Sequence, residues 1–533
     1  MIHPSIGIAR LGNSPTDYFI GPEVSGYGPQ PKDGLFKDSE GKVKRQAVRF
    51  HVYAYDSSDK VVKEITSDDG SVIWKVHLSN RKSASNQFKS FFNPQPAKKR
   101  NSDFVGEERE RTLVIDPGPI TINGMNQGGV NFRFNKGKCF GVEVPLGELR
   151  TDDKGRLIVL GGFGRSDCRD GDRDKYPLKN FANNDGWFDD TSDGPVTASV
   201  TLSDGNSITV KENAWVIVVP PKFAPYHFPI VTLYDTMKQV ALDENWITKP
   251  QKVSFVNDIF PILYRVTQYR WLNSMARLGH GKNKGGDFLR DIKILSDNKS
   301  QQGADERKKI FSKIRNPNLV DPDTPEEEEM ARMQASNMFM PPLSGDDGDR
   351  SDGNFKTWMK LMMFQYENLE RWSRGDFISD WDESVQIDKL EEKSLEELQI
   401  EEQPSALDRA GLELSIGAPL YPGIEVTHHF YRKDFYGGRA FRINPNLKPG
   451  SITEQMAVPW QSDFYACADF WWPTARPDNI IPENGQIAED APRQKWARDV
   501  NSTDVVEKWS KLGFVKPIQR DKVTFFVEKE RTL

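Results

Sequence analysis

Apolar residues change their spacing once along this chain, and that change limits the folds open to it. Up to about residue 220 they alternate with polar ones, as in "AVRFHVYAYD" (47–56) and "SVIWKVHLSN" (71–80). A period of two is the mark of strands with one buried face. "GKCFGVEV", "RLIVLGGFG", "VTASVTL" and "AWVIVVPP" continue the pattern, and Asp69-Gly70 and other Gly, Asp, Asn and Pro clusters supply turns between the runs. After Pro229 the interval lengthens to three and four in "YDTMKQVALDENW", "SFVNDIFPILYRVTQYRWLN" and "GGDFLRDIKILSD", as amphipathic helices require. In "FKTWMKLMMFQYENLERWSRGDF", Phe355, Trp358, Met362, Tyr366, Leu369 and Trp372 fall on one stripe, and Gly375 offers a stop. The prediction is an α+β chain in three parts. A β-rich N-terminal lobe, sandwich-like or barrel-like, occupies 1–228. A helical region follows over 229–405, with a charged linker at 380–403, and a mixed, irregular lobe fills 406–533. No period of 20–50 residues repeats, which disfavours a solenoid or propeller.

At 533 residues, 37% hydrophobic and 28% charged, the chain has the composition of a globular protein of several lobes. Its net charge of −6 argues against nucleic-acid binding. No run approaches the roughly 18–20 apolar residues of a membrane span, so no membrane role is expected. The start, "MIHPSIGIARLGNSPTDYFIGPE", has no basic region followed by an apolar one, so a Sec signal peptide is not expected. The three cysteines, Cys139, Cys168 and Cys467, have neither disulfide nor zinc spacing and fit a reducing compartment. A cytoplasmic location is the expectation, with non-classical export left open.

Several stretches invite a chemical reading. "GGFGRS" (161–166) follows a strand-like run but lacks the Walker lysine and a following helix, so a glycine-rich turn is the better account than a phosphate cradle. "IEVTHH" (424–429) holds Glu425 and His428 at i,i+3. A di-iron bundle needs a second such pair and two more glutamates, and none is found, so a structural role or a pocket wall is favoured and no metal is expected. "TPEEEE" (324–329) reads as a helix start with acids at the positive end of the dipole. In "PWQSDFYACADFWWPTARPD" (459–478), prolines frame about a dozen residues suited to one short helix. On it, Asp463 and Cys467 stand at i,i+4 on one face, with Phe464 and Trp471 near by. A carboxylate beside a thiol raises the thiol's pKa and does not activate it as a nucleophile, but a carboxylate is a fit general base. Taken alone, this segment reads as a buried cysteine packing as a small hydrophobe.

Read together with other blocks, the segment resembles the quinoprotein amino-acid oxidases that include lysine epsilon-oxidase and glycine oxidase. The likeness runs through "HPSIGIARLGNSPTDYFIGPE", "LIVLGGFGRS", "DGPVTASV", "AWVIVVPPKFAP", "SFVNDIFPIL", "GAPLYPGIEVTHH", "PWQSDFYAC…WWPTARPD" and "EKWSKLGFV", in order and nearly end to end. The resemblance implies a cysteine tryptophylquinone made from the chain's own side chains. Cys467 matches the cysteine of the thioether, and Asp463 the active-site aspartate implicated in cofactor formation or proton transfer. The quinone tryptophan is left among Trp471, Trp472, Trp496 and Trp509. Trp509 is favoured and Trp496 stands second, while the "WWP" block looks like wall or core. Asp499 is a weaker carry-over as a second carboxylate, and Glu425 or His428 would face the substrate's amine or carboxylate.

The chemistry implied is oxidative deamination. A neutral primary amine adds to the o-quinone, a carboxylate takes the α-proton, and two electrons enter the ring. Aldehyde or keto acid, ammonia and hydrogen peroxide leave, with O2 as co-substrate. The substrate would be a small-molecule amino acid, its identity open. The family is similar in needing a separate flavoprotein to insert the oxygens, so such a maturation partner is expected, and a homo-oligomer is left open. The characterised enzymes have more chain after the cysteine. Two other readings compete: a member that keeps the fold without the cofactor and serves as a binding or structural protein, and an unrelated metal-dependent hydrolase around Glu425 and His428.

Overall fold

In a computed structural model, most of the alternating segments join one sheet of twelve strands. The structure describes residues 1–89, 97–318, 339–346, 348, 350, 357–382, 393–521 and 523–533. "TPEEEE", Phe355 and most of the expected charged linker lie outside the described residues.

The strands are β1 (Ile2–His3), β2 (Ile6–Arg10), β3 (Tyr18–Ile20), β4 (Arg45–Tyr55), β5 (Val61–Ile65), β6 (Gly70–Val76), β7 (Ile120–Asn123), β8 (Gly147–Thr151), β9 (Leu157–Gly161), β10 (Ser192–Leu202), β11 (Ser207–Thr209) and β12 (Ala214–Val219). Their main path runs β8-β9-β4-β2-β12-β10-β6-β7, with β1, β3 and β5 on β4 and β11 on β10. The end strands β8 and β7 come back against each other, so the sheet nearly closes. The lobe is therefore barrel-like. Most pairs are antiparallel, but β2 and β12 run parallel, with Ile6 opposite Trp215 and Arg10 opposite Val219. These two central strands are buried along their whole length, as both-faced strands with continuous apolar runs should be. One face joins the interior with Phe50, Trp74 and Val216. The other takes Ile6, Ile8 and Ile217 against helices.

The helices on that face are α1 (Leu233–Asp243) and α4 (Gln403–Leu414), while α2 (Phe260–Gln268) and α3 (Met363–Ser373) pack in a separate core with Trp372, Leu369 and Leu263. At the start of α1, Thr232 accepts the Asp235 N–H while the Asp235 carboxylate accepts the Thr232 N–H, satisfying two donors the helix itself cannot. A short helix, α5 (Trp460–Ala466), and a one-turn helix, α6 (Val505–Lys508), follow. The chain then forms the hairpin β13 (Phe514–Arg520) and β14 (Val523–Lys529). Among the described residues, no helix is long and apolar enough to cross a membrane.

Carboxylates fixed beside β10 hold the irregular C-terminal segments. Asp193 accepts the Thr453 N–H (2.8 Å) and hydroxyl (2.7 Å), the Ile452 N–H (3.2 Å) and the indole N–H of Trp215 (3.0 Å). The Phe223 N–H reaches the Ala475 carbonyl at 2.8 Å, and the Val515 N–H reaches the Phe223 carbonyl at 2.7 Å. Residues 222–225 thus tie the segment after α5 to the terminal hairpin.

Candidate active site

Helix α5 is placed by its first turn. The Trp460 N–H, a donor with no partner inside the helix, gives its hydrogen bond to the Asp189 carboxylate at 2.9 Å. The same oxygen accepts from the ammonium of Lys82 at 2.8 Å, both side chains being fully buried. The other Asp189 oxygen takes Asn80 (3.1 Å) and the Thr191 hydroxyl (2.8 Å). Such saturation is what makes a buried ion pair tolerable. Asn184 donates to the Val458 carbonyl at 3.1 Å and fixes the chain entering the helix.

Trp460, Asp463, Phe464 and Cys467 follow one another at helical spacing, so they share one face of α5. The helix ends sooner than the dozen residues expected. Asp478 accepts the amide N–H groups of Asp469 and Phe470, both at 3.1 Å, and these two residues take positive φ (57° and 71°). A carboxylate from downstream thus claims the donors that another helical turn would have used. Trp471 consequently lies beyond the helix, packed on Trp472 at 5.5 Å.

Asp463 is 1% exposed, and no nitrogen or oxygen donor among the described residues reaches either carboxylate oxygen. Burial pushes its carboxyl up to about 7, with a hydrogen bond to the Cys467 thiol and the charges of Lys82 and Arg476 pulling the other way. Desolvation dominates because no nitrogen or oxygen donor among the described residues compensates it. Arg476 is itself buried, 3.9 Å from Asp478, with Nε and Nη1 lacking an acceptor among the described residues. Here a carboxylate, a thiol and a cation meet away from water, a setting in which a proton can move at neutral pH.

Trp509 follows α6 in a turn of 3-10 helix and belongs to the same buried core as Cys467, Trp460 and Phe464. Its ring meets Trp460 edge to face, with centroids 5.4 Å apart. Trp496 also lies in this core, fully enclosed, its indole N–H on the Gly513 carbonyl at 2.7 Å and its ring between Phe223 and Phe464.

The remaining expected residues part company with this cluster. Glu425 is buried with both oxygens engaged, one by Arg10 and the other by the Ile416 N–H at 2.5 Å. It forms a buried ion pair with Arg10 of β2. Asp499 is 67% exposed and pairs with Arg531 at 3.3 Å. Its backbone holds φ 67°. His428 begins a short 3-10 turn rather than continuing a helix from Glu425, and packs edge-on against Tyr421 at 5.1 Å.

Sequence reasoning missed Lys82 and Asp189, which reach the site from distant positions, and Arg476. Only Arg476 had a signal, since it lies in the "WWPTARPD" block already singled out.

Comparison with known proteins places the chain in a family. The profile of the L-lysine epsilon oxidase N-terminal region matches residues 3–218, and that of the L-lysine epsilon oxidase C-terminal domain matches 343–496. The L-lysine 6-oxidase of Marinomonas mediterranea is 26% identical, over 99% of this chain and 89% of its own length. A crystal structure of the L-Lys epsilon-oxidase from that organism covers 99% of this chain and 94% of its own, with a TM-score of 0.75 at 23% identity. A structure of its Schiff base intermediate with L-Lys matches equally well. At that identity the likeness shows a shared fold. Two profiles that between them take in most of the sequence, and both the sheet and the Asp463–Cys467 helix, show that this chain belongs to the L-lysine epsilon-oxidase family.

Proposed function

We propose that the protein is an amino-acid oxidase whose working group is a cysteine tryptophylquinone formed from Cys467 and Trp509. It removes a primary amine from an amino acid, either a lysine-type side-chain amine or a glycine-type α-amine, with O2 as electron acceptor. The observation that carries this reading is the buried Asp463 carboxylate, without nitrogen or oxygen donors among the described residues and one helical turn before the Cys467 thiol.

The residues present fit such a group. Cys467 and Trp509 share one dry core, and Trp509 meets the helix that carries Cys467 through Trp460. When formed, the quinone supplies an electrophilic carbonyl for a neutral amine and a sink for two electrons, which dioxygen removes as hydrogen peroxide. The chain's own part is to orient and to move protons. Asp463, with a carboxyl near 7, is suited to accept the proton from the carbon beside the amine and to return it later. Lys82 and Arg476 keep its anion accessible despite burial, and Trp460 and Phe464 exclude water along the same helix face. The lysine-type substrate is supported by the relative's activity as L-lysine 6-oxidase. The glycine-type substrate rests on the family resemblance alone. A flavoprotein that installs the ring oxygens completes the proposal.

The test is the intact mass of chain produced together with that flavoprotein, followed by peptide mapping. Maturation adds two oxygens and removes four hydrogens, about 28 Da, and brings visible absorption. Mapping should find the 467 and 509 peptides joined, and peroxide should appear with an amino acid. An unchanged mass under these conditions would sink the oxidase reading in favour of a cofactor-less binding protein. A join to Trp496 would move the assignment.

A further inference from the structure

The turn "GGFGRS", part of one of the blocks that carry the family resemblance, presses on Trp509. An ideal Cβ built on Gly164 would stand 2.2 Å from Cζ2 and 2.9 Å from Cη2 of that indole, closer than any side chain tolerates. Gly164 also holds φ +70°, in the left-handed region that favours glycine. Space and backbone conformation therefore demand the same residue independently.

The turn is stitched to the helix that bears the thiol. The Gly164 carbonyl accepts from the side-chain amide of Gln461 at 3.1 Å, and the Gln461 carbonyl oxygen accepts from the Ser166 hydroxyl at 2.6 Å. Gln461 is fully buried and sits on α5, between Trp460 and Asp463. Trp460 closes the third side of the indole. The ring is thus held between a glycine packed directly against its six-membered edge and the helix that ends at Cys467. Cζ2 and Cη2 are adjacent carbons of that edge, and an o-quinone requires two adjacent carbons. Trp496, by contrast, is anchored through its own N–H to a backbone carbonyl.

We propose that Gly164, Gln461 and Ser166 form a bracket that sets the Trp509 ring in register with Cys467, so that they are positioning residues for cofactor formation. The proposal rests on the cysteine tryptophylquinone reading above and adds to it the part that aligns the two partners. A side chain at position 164 pushes the indole off its place. Loss of the Ser166–Gln461 bond lets the turn shift relative to α5 without adding volume.

The experiment produces wild type, Gly164→Ala and Ser166→Ala as full chains together with the maturation flavoprotein. It reads intact mass, the fraction of 467–509 cross-linked peptide, and the thermal midpoint. A folded Gly164→Ala chain should lose cross-link at least tenfold, and Ser166→Ala should lose it severalfold with an unchanged midpoint. Full cross-linking in a folded Gly164→Ala chain overturns the proposal. If Gly164→Ala does not fold, Ser166→Ala decides alone: reduced cross-link supports the bracket, and wild-type cross-link overturns it. A wild type that itself gains no thioether fails at the level of the cofactor and takes this proposal with it. A matured wild type beside equally matured variants refutes only the bracket.

Discussion

The central strands β2 and β12 of the N-terminal sheet and the helix α5 are both largely buried, yet they keep their shape by different means. In the sheet, β10 pairs with β6 over seven consecutive residues and β12 pairs with β2 over five. Each strand is specified by neighbours of the same kind, and register follows from alternation. The seven-residue α5 has no such support. It is held by Asp189 and Asn184, polar side chains that reach backbone groups more than 270 positions away, and the turn after it is fixed by Asp478. The difference teaches where the precision of the site comes from. The sheet supplies the rigid platform, and its flanking carboxylates transfer that rigidity to a region that could not hold itself.

The sharpest way to break this contrast is at the site. Asp463→Asn keeps the shape but removes the base, and the rate of amine oxidation should fall by about 10²–10⁴. A variant with near wild-type turnover would dismiss Asp463 as the proton acceptor. Next in size is Asp189→Ala, which strands the Lys82 charge and uncaps α5. It should cost about 3–5 kcal/mol in chemical denaturation and also lower thioether yield. Stability loss without any effect on maturation would mean that the platform does not govern the site.

The pH dependence sharpens the same point. With the Asp463 carboxyl near 7, kcat/KM should fall about tenfold per pH unit below that value as the base is protonated. Stability should run the other way. The folded-state pKa lies above the unfolded one, so the neutral acid's contribution is complete below about 4 and is lost as pH rises through 7. Asp463→Asn should flatten that part of the slope in denaturation curves at pH 5, 6, 7 and 8, and an unaltered slope would place the titration elsewhere. The smallest effect belongs to the sheet. Ile217→Val, in the fully buried β12, should cost about 1 kcal/mol and leave the cross-linked fraction unchanged.

Much of this was legible in the residues. "AVRFHVYAYD" became β4 and "SVIWKVHLSN" β6, and Gly375, at φ 82°, ends the helix where its stripe stops. "GKCFGVEV" shrank to two short bridged pieces, because Phe140 turns the chain at φ 50°. "GGDFLRDIKILSD" kept only the turn Ile292–Leu295. In these places a local pattern was too brief to outweigh its turn residues. The terminal hairpin of β13 and β14 was not anticipated within the irregular lobe. At the site, the i,i+4 spacing of Asp463 and Cys467 could be read, since helical geometry alone determines it. The isolation of the carboxylate and the approach of Lys82 could not, because they follow from how distant segments pack. Glu425 shows the converse: its spacing to His428 suggested function, while its real partner, Arg10, lies 415 positions away.

Cys467 and Trp509 are 42 positions apart in the chain, with the bridged pair Asn479–Ile480 and Gln494–Lys495 and the enclosed Trp496 between them. A thioether joining them closes that stretch into a ring, and by chain-entropy reckoning a loop of this length withholds about 4 kcal/mol of disorder from the unfolded state. Maturation would then act as a covalent strut as well as a source of reactivity. The finished enzyme would resist heat and proteases that open its precursor.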